Sequence, residues 1–219
     1  MLTQFVGNIP PKQTIFGIDE AGRGSLAGPL SLALVTFSPF VLSEIESGKV
    51  LSGLNDSKKL SAKKRNSLYS EILTLGTCRH TFISHRSIDL FGISHCIFKG
   101  ILRLVRDFNT PKSLFLIDGN YKFEKRFSNK SSFSYQSIIK GDSKIITIAA
   151  ASIIAKVRRD SFMIKLAEKF PGYGFDKNMG YGTSRHLESI LNLGLTKYHR
   201  KTFYHMEEPS LFSKEKDLH

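Results

Sequence analysis

Short apolar runs bounded by glycine, proline and polar turns recur along the chain and predict strands at Thr14–Asp19, Ser31–Phe37, Thr77–Ser84, Ser113–Asp118 and Phe133–Ile139. After the last of these the spacing becomes helical. Ala150, Ile153, Ile154, Val157, Ile164 and Ala167 fall on one face, Arg158, Arg159 and Lys165 fall largely off it, and Pro171-Gly172 stops the helix. Further helices are predicted at Ser61–Leu73, Ser87–Arg106 and Ser184–Leu193, each opened by a serine able to cap free amides. The first strands nearly adjoin and the later ones alternate with helices, which is the order of an α/β layer on a mixed sheet. The last stretch, Glu207–His219, mixes charges with a proline and few core candidates, so it is expected to be a loosely attached tail.

At 219 residues and 41% hydrophobic, the chain can bury a real core as one globular domain. Lys and Arg number 32 against 19 Asp and Glu, and the net charge of +13 draws such a protein to a polyanion, either nucleic acid or an acidic membrane surface. No stretch is apolar and long enough to span a bilayer, and MLTQFVGNIPPKQ lacks the apolar core of a signal peptide, so a cytoplasmic protein without membrane partners is expected. Cys78 and Cys96 lie far apart without a ligand cluster, which points to free, buried thiols and neither disulfide nor zinc.

The candidate chemistry begins where the first strand ends. Gly17-Ile18-Asp19-Glu20-Ala21-Gly22-Arg23-Gly24 sets two carboxylates at the edge of an apolar core, directly before a glycine-flanked arginine. Charges there need a partner, and a hard divalent cation bound through oxygen neutralises several together. A plain turn, with Asp19 capping a loop and Glu20 facing water, is the alternative. Adjacent strand residues also point to opposite faces, so both reach one metal only if the strand bends.

Asp118 ends another apolar strand, just before Gly119-Asn120, and converges with Asp19 if the two strands are parallel neighbours. Asp142 precedes the long helix, and by spacing alone it reads better as a helix cap than as a ligand. Asp160, beside Arg158 and Arg159, reads as half of a solvated ion pair. Gly22-x-Gly24-x-x-x-Gly28 fails as a dinucleotide fingerprint, since its third glycine is one residue late and two carboxylates would repel a pyrophosphate.

Lys58-Lys59, Lys63-Lys64-Arg65, Arg158-Arg159 and Arg200-Lys201 either line a groove for a sugar-phosphate backbone or form solvated faces. Tyr181, between Gly180 and Gly182, is either a ligand contact or a plug at the core edge. His186, His199 and Arg200 stay open between phosphate contact and packing.

Taken together, Gly17–Pro29 (GIDEAGRGSLAGP) resembles the opening signature of bacterial ribonuclease HII. Asp56–Leu60 (DSKKL), Leu116–Gly119 (LIDG), Lys140–Lys144 (KGDSK), Ala149–Lys156 (AAASIIAK), Gly180–Thr183 (GYGT) and His199–Phe203 (HRKTF) resemble that family's later blocks in order. Arg23 and the short N-terminus favour type II over the sister ribonuclease HIII, which opens with a DEVGTG-like turn and an extra N-terminal domain.

The resemblance implies a ribonuclease H-like α/β fold over residues 1–205, a mixed five-stranded sheet flanked by helices, with a small helical part from about residue 171 and a charged tail at 206–219. It implies an endonuclease cutting RNA–DNA hybrids and duplex DNA that contains ribonucleotides, as a monomer. It assigns Asp19, Glu20, Asp118 and Asp142 to catalysis and to two Mn²⁺ or Mg²⁺ ions, which overrules the cap reading of Asp142. Gly22, Arg23, Gly24 and Tyr181 would contact the ribonucleotide, and Lys58 and Lys59 the phosphates. The chain departs from the family in a longer stretch, Asn120–Ser132, and in the tail.

Overall fold

The computed structural model describes residues 2–4, 13–124 and 132–204. Five strands, β1 (Thr14–Ala21), β2 (Leu30–Thr36), β3 (Thr77–Ile83), β4 (Ser113–Asp118) and β5 (Tyr135–Ile138), form one sheet in the order β3-β2-β1-β4-β5. β1, β4 and β5 run parallel, while β2 is antiparallel to both its neighbours. The mixed α/β sheet expected from the sequence is therefore present.

Seven helices surround the sheet among the described residues: α1 (Pro39–Glu46), α2 (Ala62–Leu75), α3 (His85–Phe91), α4 (Ile93–Val105), α5 (Ile146–Lys169), α6 (Phe175–Asn178) and α7 (Ser184–Leu193). Alternation along β2 explains the layering. Leu30, Leu32 and Leu34 join a core with Ile97, Ile101 and Leu104 of α4, whereas Ala33 and Val35 face a second core with α1, α2 and α5. With both faces covered, all of β2 is buried, which is why it reads as a nearly continuous apolar run. Each such Leu or Ile contributes about 1.5–3 kcal/mol relative to exposure.

Several expected boundaries shift for local reasons. The single helix predicted over Ser87–Arg106 is two, because Gly92 takes φ 76° between α3 and α4. Ser84, not Ser87, caps α3, and its Oγ accepts from Ser87 N at 3.1 Å. Thr183 caps α7 in place of Ser184, while the predicted cap Ser61 does open α2. α1 and α6 were not foreseen. Both are short, at 8 and 4 residues, and carry too few turns for a clear period.

The apolar face of α5 also differs from the one predicted. From Ile146 to Ala155 every residue is buried, because this half lies across the centre of the sheet. Beyond it the buried side is Arg159, Met163 and Leu166, of which Met163 and Leu166 meet Tyr173, Phe175 and Ile190 of the C-terminal helical part, and Ile164 is left 46% exposed. Cys96 is buried and Cys78 half-buried, both as free thiols. The predicted tail, Glu207–His219, and much of the longer stretch Asn120–Ser132 lie outside the described residues.

Candidate active site

Register brings the first two carboxylates together. Ile18 of β1 pairs with Ile117 of the parallel β4, so Asp19 and Asp118 occupy equivalent positions one residue further on. Past β5 the chain makes a 3₁₀ turn at Gly141–Ser143, and Gly141 N donates to Asp118 Oδ1 at 2.7 Å, which fixes Asp142 beside the pair. Asp19, Asp118 and Asp142 each offer an oxygen within 4.8 Å of the others. Asp142 does not cap the long helix: α5 begins after Ile145 and has no side-chain cap. Spacing favoured the cap because the intervening turn is not visible as a period.

Glu20 stands outside this trio but lines the same cleft. Its carboxylate accepts from the Tyr121 hydroxyl at 3.0 Å, and that hydroxyl in turn accepts from Arg23 Nη1 at 3.2 Å. The Arg23–Glu20 separation is 3.8 Å. Tyr121 itself is braced by a parallel ring contact with Phe123 at 5.2 Å, and its amide and carbonyl both bond Ser137 Oγ.

The electrostatics of the cluster are those of groups that could hold a cation. Burial, then Glu20, Asp118 and Asp142, push Asp19 well above the usual carboxylate range. Burial raises Glu20 to about 7, against the opposing pull of Tyr121 and Arg23. Asp142 is raised by burial and by the carboxylates of Asp118 and Asp56. Burial alone would lower Lys58, yet Asp19, Asp142, Asp56 and Asp118 raise it, so it stays charged over the cleft. Oxygen donors that destabilise one another's charge suit a hard divalent ion such as Mg²⁺ or Mn²⁺.

The cleft continues past the trio. One stretch is lined by Asp19, Glu20, the Gly22–Gly24 turn, Lys58, Lys156 and Tyr181, the next by Asp56, Lys59, Lys140 and Asp142, and Lys58 and Asp118 belong to both. All the residues that the resemblance assigns to catalysis and binding thus line one cleft, whereas Lys63-Lys64-Arg65, Arg158-Arg159 and Arg200-Lys201 do not. Asp56, Lys156 and Tyr121 were missed. Asp56 and Lys156 lay inside quoted blocks, whereas Tyr121 had no signal beyond following Asp118-Gly119-Asn120.

The Gly22–Pro29 loop is held by two arginines that sequence reading placed among surface basic clusters. Arg159 and Arg200 are fully buried, and among the described residues neither forms an ion pair with a carboxylate. Arg159 donates to Pro29 O at 3.0 Å, Met179 O at 2.8 Å, Ala27 O at 3.1 Å and Ser25 Oγ at 2.7 Å. Arg200 donates to Arg23 O at 2.8 Å and Gly28 O at 3.1 Å. Buried guanidinium is tolerable here because its N–H fork finds carbonyls. Gly22, at φ 85°, leaves room for Arg159, whose Nε would stand 1.9 Å from any added Cβ. Asp160 pairs with Lys156 at 2.8 Å, half-buried, and not with the neighbouring arginines.

Tyr181 is seated opposite this loop. Gly180 O accepts from Leu26 N at 2.8 Å, Arg159 lies 5.4 Å from the Tyr181 ring, and the ring remains 37% exposed to the cleft. Beneath it, Thr196 N donates to His199 Nδ1 at 2.8 Å, which leaves His199 Nε2 to donate to His186 Nε2 at 3.1 Å. His186 Nδ1–H then bonds Tyr181 O at 2.8 Å. The two histidines are therefore packing groups and not phosphate contacts. Burial lowers both, His199 to about 4.

Known proteins share this architecture. The family model described as ribonuclease HII matches residues 16–206. A ribonuclease HII of Rickettsia bellii is 41% identical over 194 residues, covering 88% of this chain and 91% of that protein. The Archaeoglobus fulgidus ribonuclease HII, solved in complex with PCNA, superposes with TM-score 0.70 at 27% identity over 89% of this chain and 97% of that one. Bst-RNase HIII, solved with Mn²⁺, shares the fold at TM-score 0.60 and 21% identity, over 84% of this chain and 63% of that one. Among the described residues no helix is long and apolar enough to cross a membrane. Sequence, fold and the acidic cleft agree that the chain belongs to the ribonuclease HII family, metal-dependent endoribonucleases acting on RNA–DNA hybrids.

Proposed function

We propose that this protein cuts on the 5′ side of ribonucleotides, both in the RNA strand of hybrids and singly embedded in duplex DNA, leaving 3′-hydroxyl and 5′-phosphate ends. The observation that carries this reading is the carboxylate trio of Asp19, Asp118 and Asp142, joined in one cleft to Glu20, the Gly22–Gly24 turn and Tyr181. Asp19 and Asp118 would hold two Mg²⁺ or Mn²⁺ ions, with Glu20 and Asp142 completing their surroundings. Bound there, such ions supply a nucleophilic water at neutral pH and neutralise charge on the leaving oxygen.

The chain's own residues do the rest. Lys58 and Lys59, on the rim, attract the phosphates. Gly24 leaves open space beside the backbone, so main-chain amides and Arg23 can meet the 2′-hydroxyl and its adjoining phosphate. Tyr181 presents its ring to the ribose from the opposite side. The enzyme is proposed to act as a monomer.

The test is a labelled DNA duplex with one internal ribonucleotide, assayed beside a plain hybrid in Mg²⁺ and in Mn²⁺. Both should be cut, and Asp118→Asn, which keeps shape and removes charge, should abolish cutting of both while staying folded. It should also unfold at a higher temperature than the parent without metal, since one repelling charge is gone. Near-normal turnover of Asp118→Asn at saturating Mg²⁺ would remove that residue from the site.

A further inference from the structure

Tyr121 lies in no block shared with the family signature, yet its hydroxyl is placed between the two functional halves of the cleft. On one side it donates to Glu20 Oε1 at 3.0 Å, and on the other it accepts from Arg23 Nη1 at 3.2 Å. The direction is fixed by chemistry, since a carboxylate can only accept and a guanidinium can only donate. Its main chain is anchored by Ser137, its ring lies flat on Phe123, and Gly119 leaves that ring room. A bridge this firmly seated does more than fill space.

We propose that Tyr121 is a positioning residue that holds Glu20 beside the metal carboxylates and Arg23 towards the substrate, preventing their 3.8 Å ion pair from tightening into a direct hydrogen-bonded one. The proposal rests on the catalytic reading of the cleft given above. Glu20 and Arg23 are already 3.8 Å apart, opposite in charge and remote from bulk water on the Glu20 side. Without the hydroxyl each becomes the other's nearest partner, and the attraction grows as the pair is desolvated. Glu20 would then turn from the ions and Arg23 from the ribonucleotide, so two apparently separate properties would fail together.

Tyr121→Phe tests this, because it keeps the ring on Phe123 and removes only the bridging oxygen. Mn²⁺ binding is read by calorimetry without substrate, and kcat/KM is read on a hybrid and on a duplex with one ribonucleotide. Mn²⁺ should bind about tenfold more weakly, and the ratio of the embedded-ribonucleotide rate to the hybrid rate should fall by a similar factor, the scale of one lost charge-assisted bond. The discriminating variant is Tyr121→Phe combined with Arg23→Ala. With no guanidinium to capture Glu20, Mn²⁺ affinity should return to within about twofold of Arg23→Ala alone, a coupling that a merely structural role would not produce.

Unchanged Mn²⁺ affinity and substrate ratio in Tyr121→Phe would overturn the proposal. So would an equal Mn²⁺ loss with and without Arg23. Should the parent protein itself neither bind Mn²⁺ nor cut either duplex, the catalytic reading fails first and this role with it, an outcome visible before any variant is made.

Discussion

At the scale of single residues, the site divides between groups that sequence announces and groups that only packing reveals. The glycines around Tyr181 left it open between a ligand contact and a plug, and its partly exposed ring over buried Arg159 fits the proposed contact with a sugar. Tyr181→Ala should lose roughly tenfold or more activity on a single embedded ribonucleotide relative to a continuous hybrid, where neighbouring hydroxyls and duplex shape offer other footholds. Tyr181→Phe then separates ring from hydroxyl, and equal losses on both substrates in Tyr181→Ala would reduce the residue to packing. Asp19, Glu20 and Asp118 could be singled out because a charge at the end of an apolar strand is costly without a purpose, although a plain turn accounted for Asp19 and Glu20 as well. Asp142 was legible only through family resemblance, since helix caps and ligands use the same residue at the same place. The buried role of Arg159 was not legible, and that of Arg200 stayed open, because a guanidinium in a basic cluster looks solvated and nothing local tells that carbonyls from distant loops will surround it.

Among elements, strands were the most legible, because inner strands covered on both faces must be apolar throughout. Helix limits were less so, as Gly92 ended one helix and began the next where the apolar period hardly changed. The C-terminal helical part carries its own prediction, through the His186–His199 pair linking α7 to the Thr196–Arg200 segment. Burial holds both imidazoles below their ordinary value, His199 at about 4. The unfolded chain, with histidines near 6.5, therefore binds more protons than the native one across this window, and stability falls as pH drops from about 6.5 towards 4. Asp19, Glu20 and Asp142 are shifted upward and act in the opposite sense, gaining stability on acidification. Measured with Mg²⁺ present to hold the carboxylates ionised, Tm should drop by roughly 3–6 °C between pH 7 and pH 5. His199→Gln should flatten that slope, and an unaltered slope would show that the pair does not set the acid sensitivity.

For the whole molecule, charge is arranged against itself: a chain of net charge +13 gathers carboxylates on the floor of its cleft and lysines on the rim. Affinity for a hybrid should therefore fall steeply with salt, each phosphate contact adding about 0.9 to the slope of log affinity on log salt. Replacing Lys58 and Lys59 together by alanine should lower that slope by about 2 while the protein stays folded, and an unchanged slope would return both to the solvated face. The buried arginines contribute little to that surface, but they bear on how such a protein can change. Apart from Ser25 Oγ, the loop offers them only main-chain oxygens. The exposed positions Arg23 and Gly24 can thus be exchanged without altering the main-chain oxygens that hold the loop in place. Evolution, or a designer, can vary the part proposed to inspect the sugar as an interchangeable cassette while its mounting stays the same.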